Sequence, residues 1–355
     1  MPLHDIAPRN PVVPAHWLVV VAIAAFYAMA AGSTAAAQAS SPIGIGSVKE
    51  HARSSVLGRV IDLAIAPSGD LWVADLSLNE IIHFDTAGTE IGRIGRNGEG
   101  PGEFRMLYRL AVDPSGNLYA FDFASSDVSV FDAAGEYLDR WRLPVFFAQV
   151  DRFVVVPDGR VVVAGIAAND SAASGSSLHV FSAAGEHVTS FGPLPRASNR
   201  DLLRFWGAGN LSLSSHGDLL LSLRLPYEIF SYSPDGRLRA RIVAPTLMAG
   251  SADDAFTSRG DANSGSIADS ETYVPRPLFA YDIGDGLVLA GRSAGRDEPA
   301  VWDVFDADGQ LIQSIRAPEP VRGVLGLDRE RARLWGVGTT NDEPVLFSIN
   351  LIIRR

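Results

Sequence analysis

Several short patterns in this chain have the residue types and spacing of known chemistry, and most lack the partners that chemistry requires. Gly291-Arg292-Ser293-Ala294-Gly295 has the Gly-x-Ser-x-Gly spacing of a serine nucleophile on a strained strand-to-helix turn. Such a serine needs a following helix and a later histidine as base. The residues that follow, RDEPAVWDVFDADG, read as a turn and a strand, and no histidine comes after His216. The segment is therefore read as a Gly-bounded hairpin loop. The glycines from Gly95 to Gly102 could cradle a phosphate, but neither a Lys-Ser/Thr pair nor a helix follows them. Asp261-x-Asn263-x-Gly265 approaches a calcium loop, yet its glycine is one residue early and the last ligand position is not acidic. The seven histidines, at 4, 16, 51, 83, 179, 187 and 216, form no His-Glu-x-x-His motif and no pair with zinc spacing. With no cysteine in the chain, thiolate metal sites and cysteine nucleophiles are excluded.

One constellation remains. Aligning the repeats described below puts Asp62, Arg109, Arg152 and Asn210 immediately before the first strand of successive units. Asp75 and Asp122 end second strands. If the first strands line a central channel, these six residues gather near one mouth as a candidate ligand-binding set. For the aspartates the competing reading is structural, since a carboxylate at a strand end holds the next turn through backbone N–H groups. Arg109 and Arg152 occupy equivalent positions in adjacent units, so their guanidinium groups are expected on one side of the channel, with Asp62 and then Asp122 as neutralising partners. Partial pairing leaves a forked donor for an anionic or carboxylate-bearing ligand. No catalytic residue, metal ligand or cofactor is assigned.

The elements that must position this set are clearest from residue 104 to 142, FRMLYRLAVDPSGNLYAFDFASSDVSVFDAAGEYLDRWR. Four short strands are expected there, at 110–113, 118–122, 128–131 and 136–142, separated by Pro-Ser-Gly-Asn, a polar turn and Asp-Ala-Ala-Gly. The first turn recurs as Pro67-Ser68-Gly69-Asp70, Pro157-Asp158-Gly159-Arg160, Ser215-His216-Gly217-Asp218 and Gly284-Asp285-Gly286-Leu287. The last recurs at Phe84, Phe181, Tyr232 and Phe305, as in FDADGQLI. Leu71, Leu118, Val161, Leu219, Leu287 and Leu334 open the second strands, so the repeat has six units. Repetition at this period predicts an all-β fold, a six-bladed β-propeller with four-stranded blades. The last unit offers only three strands before the chain stops, at 324–327, 334–337 and 345–352, and residues 43 to 49 are expected to supply its fourth. Residues 244–277, rich in Ala, Ser, Asp and Gly, are read as a polar loop insertion between blades 4 and 5.

The connector Gly95 to Phe104, with the strand pair LAVDPSGNLYAFD from Leu110, resembles the NHL-type six-bladed β-propellers, including their exported bacterial members. The resemblance is strongest over residues 59–142. It implies the fold and a binding role, and no single activity, because the fold hosts unrelated functions.

Residues 1–39 stand apart. An apolar run from Trp17 to Gly32 and the small-x-small site Ala37-Gln38-Ala39 before Ser40 form a signal-peptide pattern, the alternative being an uncleaved membrane anchor over residues 17–39. The domains are thus a signal peptide, 1–39, and a propeller, 40–355. The expected location is periplasmic or extracellular. A net charge of −11 argues against nucleic acid and anionic membranes as partners. The expectation is an exported, monomeric, non-catalytic propeller that binds a protein, peptide or glycan at one face of its channel, with no membrane contact after cleavage. The alternative is a metal-dependent enzyme of the lactonase or lyase type that other six-bladed propellers resemble, its metal held by Asp62, Asn210, Asp75 and Asp122.

Overall fold

A computed structural model describes residues 42–53, 56–168, 175–195, 203, 207–223, 227–243, 277–292, 299–319, 321–340 and 343–354. The signal-peptide segment 1–39 and all but the last residue of the 244–277 insertion lie outside the described residues. The chain divides into two units, Ile45–Ile352 and a smaller one of the residues up to Gly44 with Ile353–Arg355. In the smaller unit Arg354 N donates to Pro42 O at 2.9 Å.

The larger unit carries the blades. Strand β1 is Ile43–Ala52. Blade 1 is β2 (Val60–Ile65), β3 (Leu71–Asp75), β4 (Glu80–Phe84) and β5 (Glu90–Ile94). Blade 2 is β6 (Leu107–Val112), β7 (Leu118–Asp122), β8 (Asp127–Phe131) and β9 (Tyr137–Arg142). Blade 3 is β10 (Phe147–Val155), β11 (Val161–Ala167), β12 (Leu178–Phe181) and β13 (His187–Phe191). Blade 4 is β14 (Gly209–Leu213), β15 (Leu219–Leu223), β16 (Glu228–Tyr232) and β17 (Leu238–Val243). Blade 5 is β18 (Pro277–Gly284), β19 (Leu287–Arg292), β20 (Val301–Phe305) and β21 (Leu311–Arg316). Blade 6 is β22 (Val321–Asp328), β23 (Arg333–Thr340) and β24 (Glu343–Ile353). Each blade is one antiparallel four-stranded sheet, and the sixth has the order β1-β24-β23-β22. The first strands β2, β6, β10, β14, β18 and β22 each touch the next and the last touches the first, so the ring closes.

Burial is high in the second strands and low in the outer ones. The second strands are wholly buried in blades 1, 3 and 4, as LWVAD, VVVAGIA and LLLSL. A strand covered on both faces reads as a continuous apolar run rather than an alternation. The outer strands β9 and β17 are almost entirely exposed. Each outer strand from β5 to β21 is bulged against its neighbour, for example between Val130 and Phe131 on β8. A bulge bends the rim away from regular pairing and discourages edge-to-edge association. The core lies in seams between blades: Trp72, Ile81 and Phe104 pack with Leu118 and Phe131 between blades 1 and 2, and Val128 packs with Phe153 and Phe181 between blades 2 and 3. The turn glycine Gly135, at φ 89°, fits into such a seam because a Cβ there would press on Ile94 and Trp72.

The expected strand boundaries needed one correction. Asp62, Arg109 and Arg152 lie inside the first strands, not before them. In blades 1 to 3 a bulge falls between Val60 and Asp62, between Leu107 and Arg109, and between Val150 and Arg152. The strand therefore starts earlier than the apolar pattern after the bulge suggests. Blade 6 closes its first hairpin without glycine, and Ala332 takes the left-handed conformation at φ 46°.

The N-terminal strand completes blade 6 as the incomplete repeat required. Asn350 Nδ2 donates to Ser47 Oγ at 3.0 Å, and His51 meets Ser348 Oγ at 2.9 Å with its ring 4.6 Å from Trp335. Deleting residues up to Ala52 is expected to uncover the β24 edge, lower the melting temperature by roughly 5 °C or more, and make the protein associate with concentration. Melting curves and sedimentation check this; an unchanged melting point in a monodisperse truncation would contradict it.

Candidate functional site

The first strand of each blade presents its inner edge to the channel with no neighbouring strand to bond. Side chains take up part of that edge. The Asp62 carboxylate is fully buried; Oδ1 accepts from Leu63 N at 2.9 Å and Oδ2 from Leu110 N of blade 2 at 3.0 Å. Asp62 is also ion-paired with Arg152 of blade 3, whose Nη2 donates to Leu325 O of blade 6. In blade 3 the Asp151 carboxylate accepts from Ala208 N at 2.5 Å on the way into blade 4. Arg109 donates from Nε to Asp151 O at 2.6 Å and stacks over the Tyr108 ring at 4.0 Å. The two arginines have different partners: Arg152 meets Asp62 and the Leu325 carbonyl, and Arg109 meets backbone carbonyls and an aromatic ring.

Asp75 and Asp122 end β3 and β7 and are buried. Asp75 accepts from the backbone N–H of Gly58, Arg59, Ser77 and Leu78, and Asp122 from those of Arg105, Met106, Ala124 and Ser125. Each ties the entering connector of its blade to the turn after its second strand. Their oxygens are thereby spent on the backbone of the fold. Asn210 sits in β14 opposite Ser222, and its Oδ1 is buried without a partner among the described residues. The four first-strand residues hold equivalent places in their blades, as do the two aspartates that end second strands, but the six polar groups do not converge on one point.

What converges instead is a cavity of about 180 Å³ on the axis, reached by Arg152, Tyr281, Ser212 and Arg329 between apolar walls such as Leu63, Leu110 and Leu325. Arg329 opens the first turn of blade 6. Its Nε donates to Asp282 O of blade 5 at 2.9 Å and its Nη2 to Leu213 O of blade 4. Among the described residues it has no carboxylate partner in an ion pair. Desolvation lowers its pKa from the ordinary arginine value, opposed by the nearby Asp282 carboxylate. Tyr281 is buried beside Arg152, and burial raises its pKa while the Arg152 guanidinium, by charge and hydrogen bond, pulls the other way. Sequence reasoning missed Arg329 and Tyr281. Blade 6 has no glycine turn to align Arg329, and Tyr281 sits in an apolar strand that reads as core. Among the described residues no group of three His, Asp or Glu side chains is placed to hold a metal ion. Nor is any helix there long and apolar enough to cross a membrane.

Comparison with known proteins agrees with this architecture. The model of the DUF5128 family, described as a 6-bladed beta-propeller, matches residues 53–161, which span blades 1 and 2 and the first strand of blade 3. No curated protein matches the sequence. Among solved structures, a presumed exported protein from Bacteroides fragilis superposes with a TM-score of 0.61 at 12% identity, covering 88% of this chain and 96% of its own. A gluconolactonase from Xanthomonas campestris gives 0.55 at 16% identity over 88% and 96%. A member of the duf4221 family from Bacteroides vulgatus gives 0.56 at 10% over 88% and 99%. At these identities the likeness is one of fold.

Among the described histidines only one is a core residue. His179 is fully buried; its Nδ1 lies 3.0 Å from Ser190 Oγ and its Nε2 3.3 Å from Gly165 O, against the edge of Phe147. Bonding to a carbonyl makes Nε2 the protonated nitrogen of a neutral ring. Burial lowers its pKa to about 4. A folded value below the unfolded one makes protonation oppose folding. The contribution is complete above about pH 6.5 and is lost as pH falls towards 4, up to an amount on the order of 3 kcal/mol. Denaturant midpoints measured from pH 7 to 4 should fall less steeply for His179→Gln than for the unaltered protein. Parallel curves would contradict this.

Proposed function

We propose that the protein is an exported, non-catalytic propeller that binds a partner protein, peptide or glycan at the channel mouth where Arg329 stands, by gripping a carboxylate on that ligand. The observation that carries this reading is the bonding of Arg329. Two of its nitrogens donate to carbonyl oxygens of other blades, which fixes the guanidinium without neutralising it. The Nη1 donors of a guanidinium so fixed suit a carboxylate, and Tyr281 lines the same cavity. A cavity of about 180 Å³ fits the end of a ligand rather than its body, such as a peptide C-terminus or a uronate. Arg152 contributes charge but is committed to Asp62. The Ala37-Gln38-Ala39 site supports export, and the connector and strand pair over 95–122 support an NHL-type repeat.

The metalloenzyme reading draws on Asp62, Asp75, Asp122 and Asn210. Its support is weaker because the three carboxylates are engaged by backbone donors and, for Asp62, by Arg152. Tight stoichiometric calcium or zinc binding in calorimetry, abolished by Asp62→Ala, would revive it.

The binding reading is tested by screening residues 40–355 against peptides with free or amidated C-termini and against uronate-containing or neutral glycans. Hits should require the free carboxylate and weaken about tenfold or more with Arg329→Gln, as expected for loss of a charge-assisted bond worth about 1.5–3 kcal/mol. Hits indifferent to amidation, to uronate and to Arg329→Gln would overturn it.

A further inference from the structure

The six first strands carry a row of equivalent residues near their ends, each paired with the residue that opens the second strand. Ile65 pairs with Leu71, Val112 with Leu118, Val155 with Val161, Leu213 with Leu219 and Leu327 with Leu334. Blade 5 has Gly284 there, paired with Leu287. Five blades of six thus set an aliphatic residue at one level of the channel. All of them but Val155 stay partly exposed, so the ring borders open space rather than sealed core.

The ring borders two cavities at once. One is the axial cavity of about 180 Å³, and the other, of about 270 Å³, lies at the first turns beside Pro67 and Pro114. The residues common to both are the five aliphatic ones and Arg329. The cation assigned above to a ligand carboxylate therefore stands where the two cavities meet, within an aliphatic ring.

Beyond the ring the two cavities differ. In the axial cavity the polar groups are engaged: Arg152 by Asp62 and the Leu325 carbonyl, Ser212 Oγ by Ala280 O at 2.6 Å, and Tyr281 by Arg152. The wall between them is aliphatic, with Leu63, Leu110, Leu211 and Leu325. A hydroxyl-bearing group entering there would give up water for no partner, whereas an aliphatic group gives up nothing polar. In the outer cavity Asp113 is spent on its own turn, at Ser115 N and at Asn117 N and Nδ2, and Asp328 is paired with Arg331. With the exposed Glu330, three carboxylates face two arginines in that lining, so a second negative charge on a ligand is disfavoured.

We infer that the ligand is a peptide C-terminus whose last residue is Leu, Ile or Val. The terminal carboxylate lies against Arg329, the last side chain fills the axial cavity between Leu63, Leu110 and Leu325, and the preceding residues leave through the outer cavity. This rests on the channel reading and narrows it, setting aside uronates and acidic termini. A free branched-chain acid shares the chemistry but leaves the outer cavity unused.

The test is calorimetry on residues 40–355, which hold the whole ring of blades. The probes are acetyl-Ala-Ala-Leu, its C-terminal amide, acetyl-Ala-Ala-Ser, acetyl-Ala-Ala-Glu, isocaproate and glucuronate. The Leu peptide should bind one per chain, at least about tenfold more tightly than the Ser and Glu peptides, as a small difference in an apolar pocket allows. It should also bind more tightly than isocaproate or glucuronate. Val112→Phe narrows the ring and should abolish binding of the Leu peptide without lowering the melting temperature. If that variant does not fold, the ratios among the probes decide. The two levels of the account fail differently. Binding that needs Arg329 and a free carboxylate, but is equal for the Leu, Ser and Glu peptides or as tight for isocaproate or glucuronate, would overturn this inference and leave the channel reading standing. So would binding that survives a folded Val112→Phe. A Leu peptide that binds regardless of amidation and of Arg329→Gln would overturn both, and no binding of any probe would overturn the inference.

Discussion

The constraint on which the rest of this structure depends lies at its axis. Six first strands present their inner edges to one another, and none has a strand to pair with on that side. A buried backbone group without a partner costs as much as a lost hydrogen bond or more. The chain meets the constraint with charged side chains. Asp62 takes the amides of Leu63 and Leu110, and Arg152 joins Asp62 to the Leu325 carbonyl, so one ion pair links blades 1, 2, 3 and 6. Arg329 joins the carbonyls of Asp282 and Leu213, which links blades 4, 5 and 6. Arginine suits this role because its five donors lie in a fixed fork and its charge persists on desolvation.

The same economy explains the functional reading. A guanidinium bonded to a carboxylate is neutralised, while one bonded to carbonyls is held in place and stays cationic. Arg152 is the first kind and Arg329 the second. On a chain of net charge −11 the channel arginine is a local exception, and exceptions of that type mark recognition more readily than the average surface does.

The blades were legible because their turns repeat. Pro67-Ser68-Gly69-Asp70 and Asp132-Ala133-Ala134-Gly135 recur with glycine at positions of positive φ, and the strands between them have room for only one arrangement. The closing strand was legible from a deficit, three strands at the C-terminus and one spare at the N-terminus. The channel was legible only in part. The rows containing Asp62, Arg109 and Arg152 could be aligned, but which group each would reach could not, because the partners lie in other blades, from one to three away. For Asp75 and Asp122 the sequence allowed both a ligand role and a turn-holding role, and their carboxylates are bonded to backbone. Arg329 had no sequence signal, since it sits in the aberrant turn of blade 6.

A double-mutant cycle on Asp62 and Arg152 tests the account at its centre. Asp62→Leu, Arg152→Met and the pair together would be compared by denaturant unfolding. Removing one partner of a buried, hydrogen-bonded ion pair costs about 3–5 kcal/mol, while replacing both with apolar groups costs much less. The account predicts two severe single variants and a milder double variant, with a coupling of about 2 kcal/mol or more. Single effects that simply add, within about 0.5 kcal/mol, would show that the pair does not link the blades.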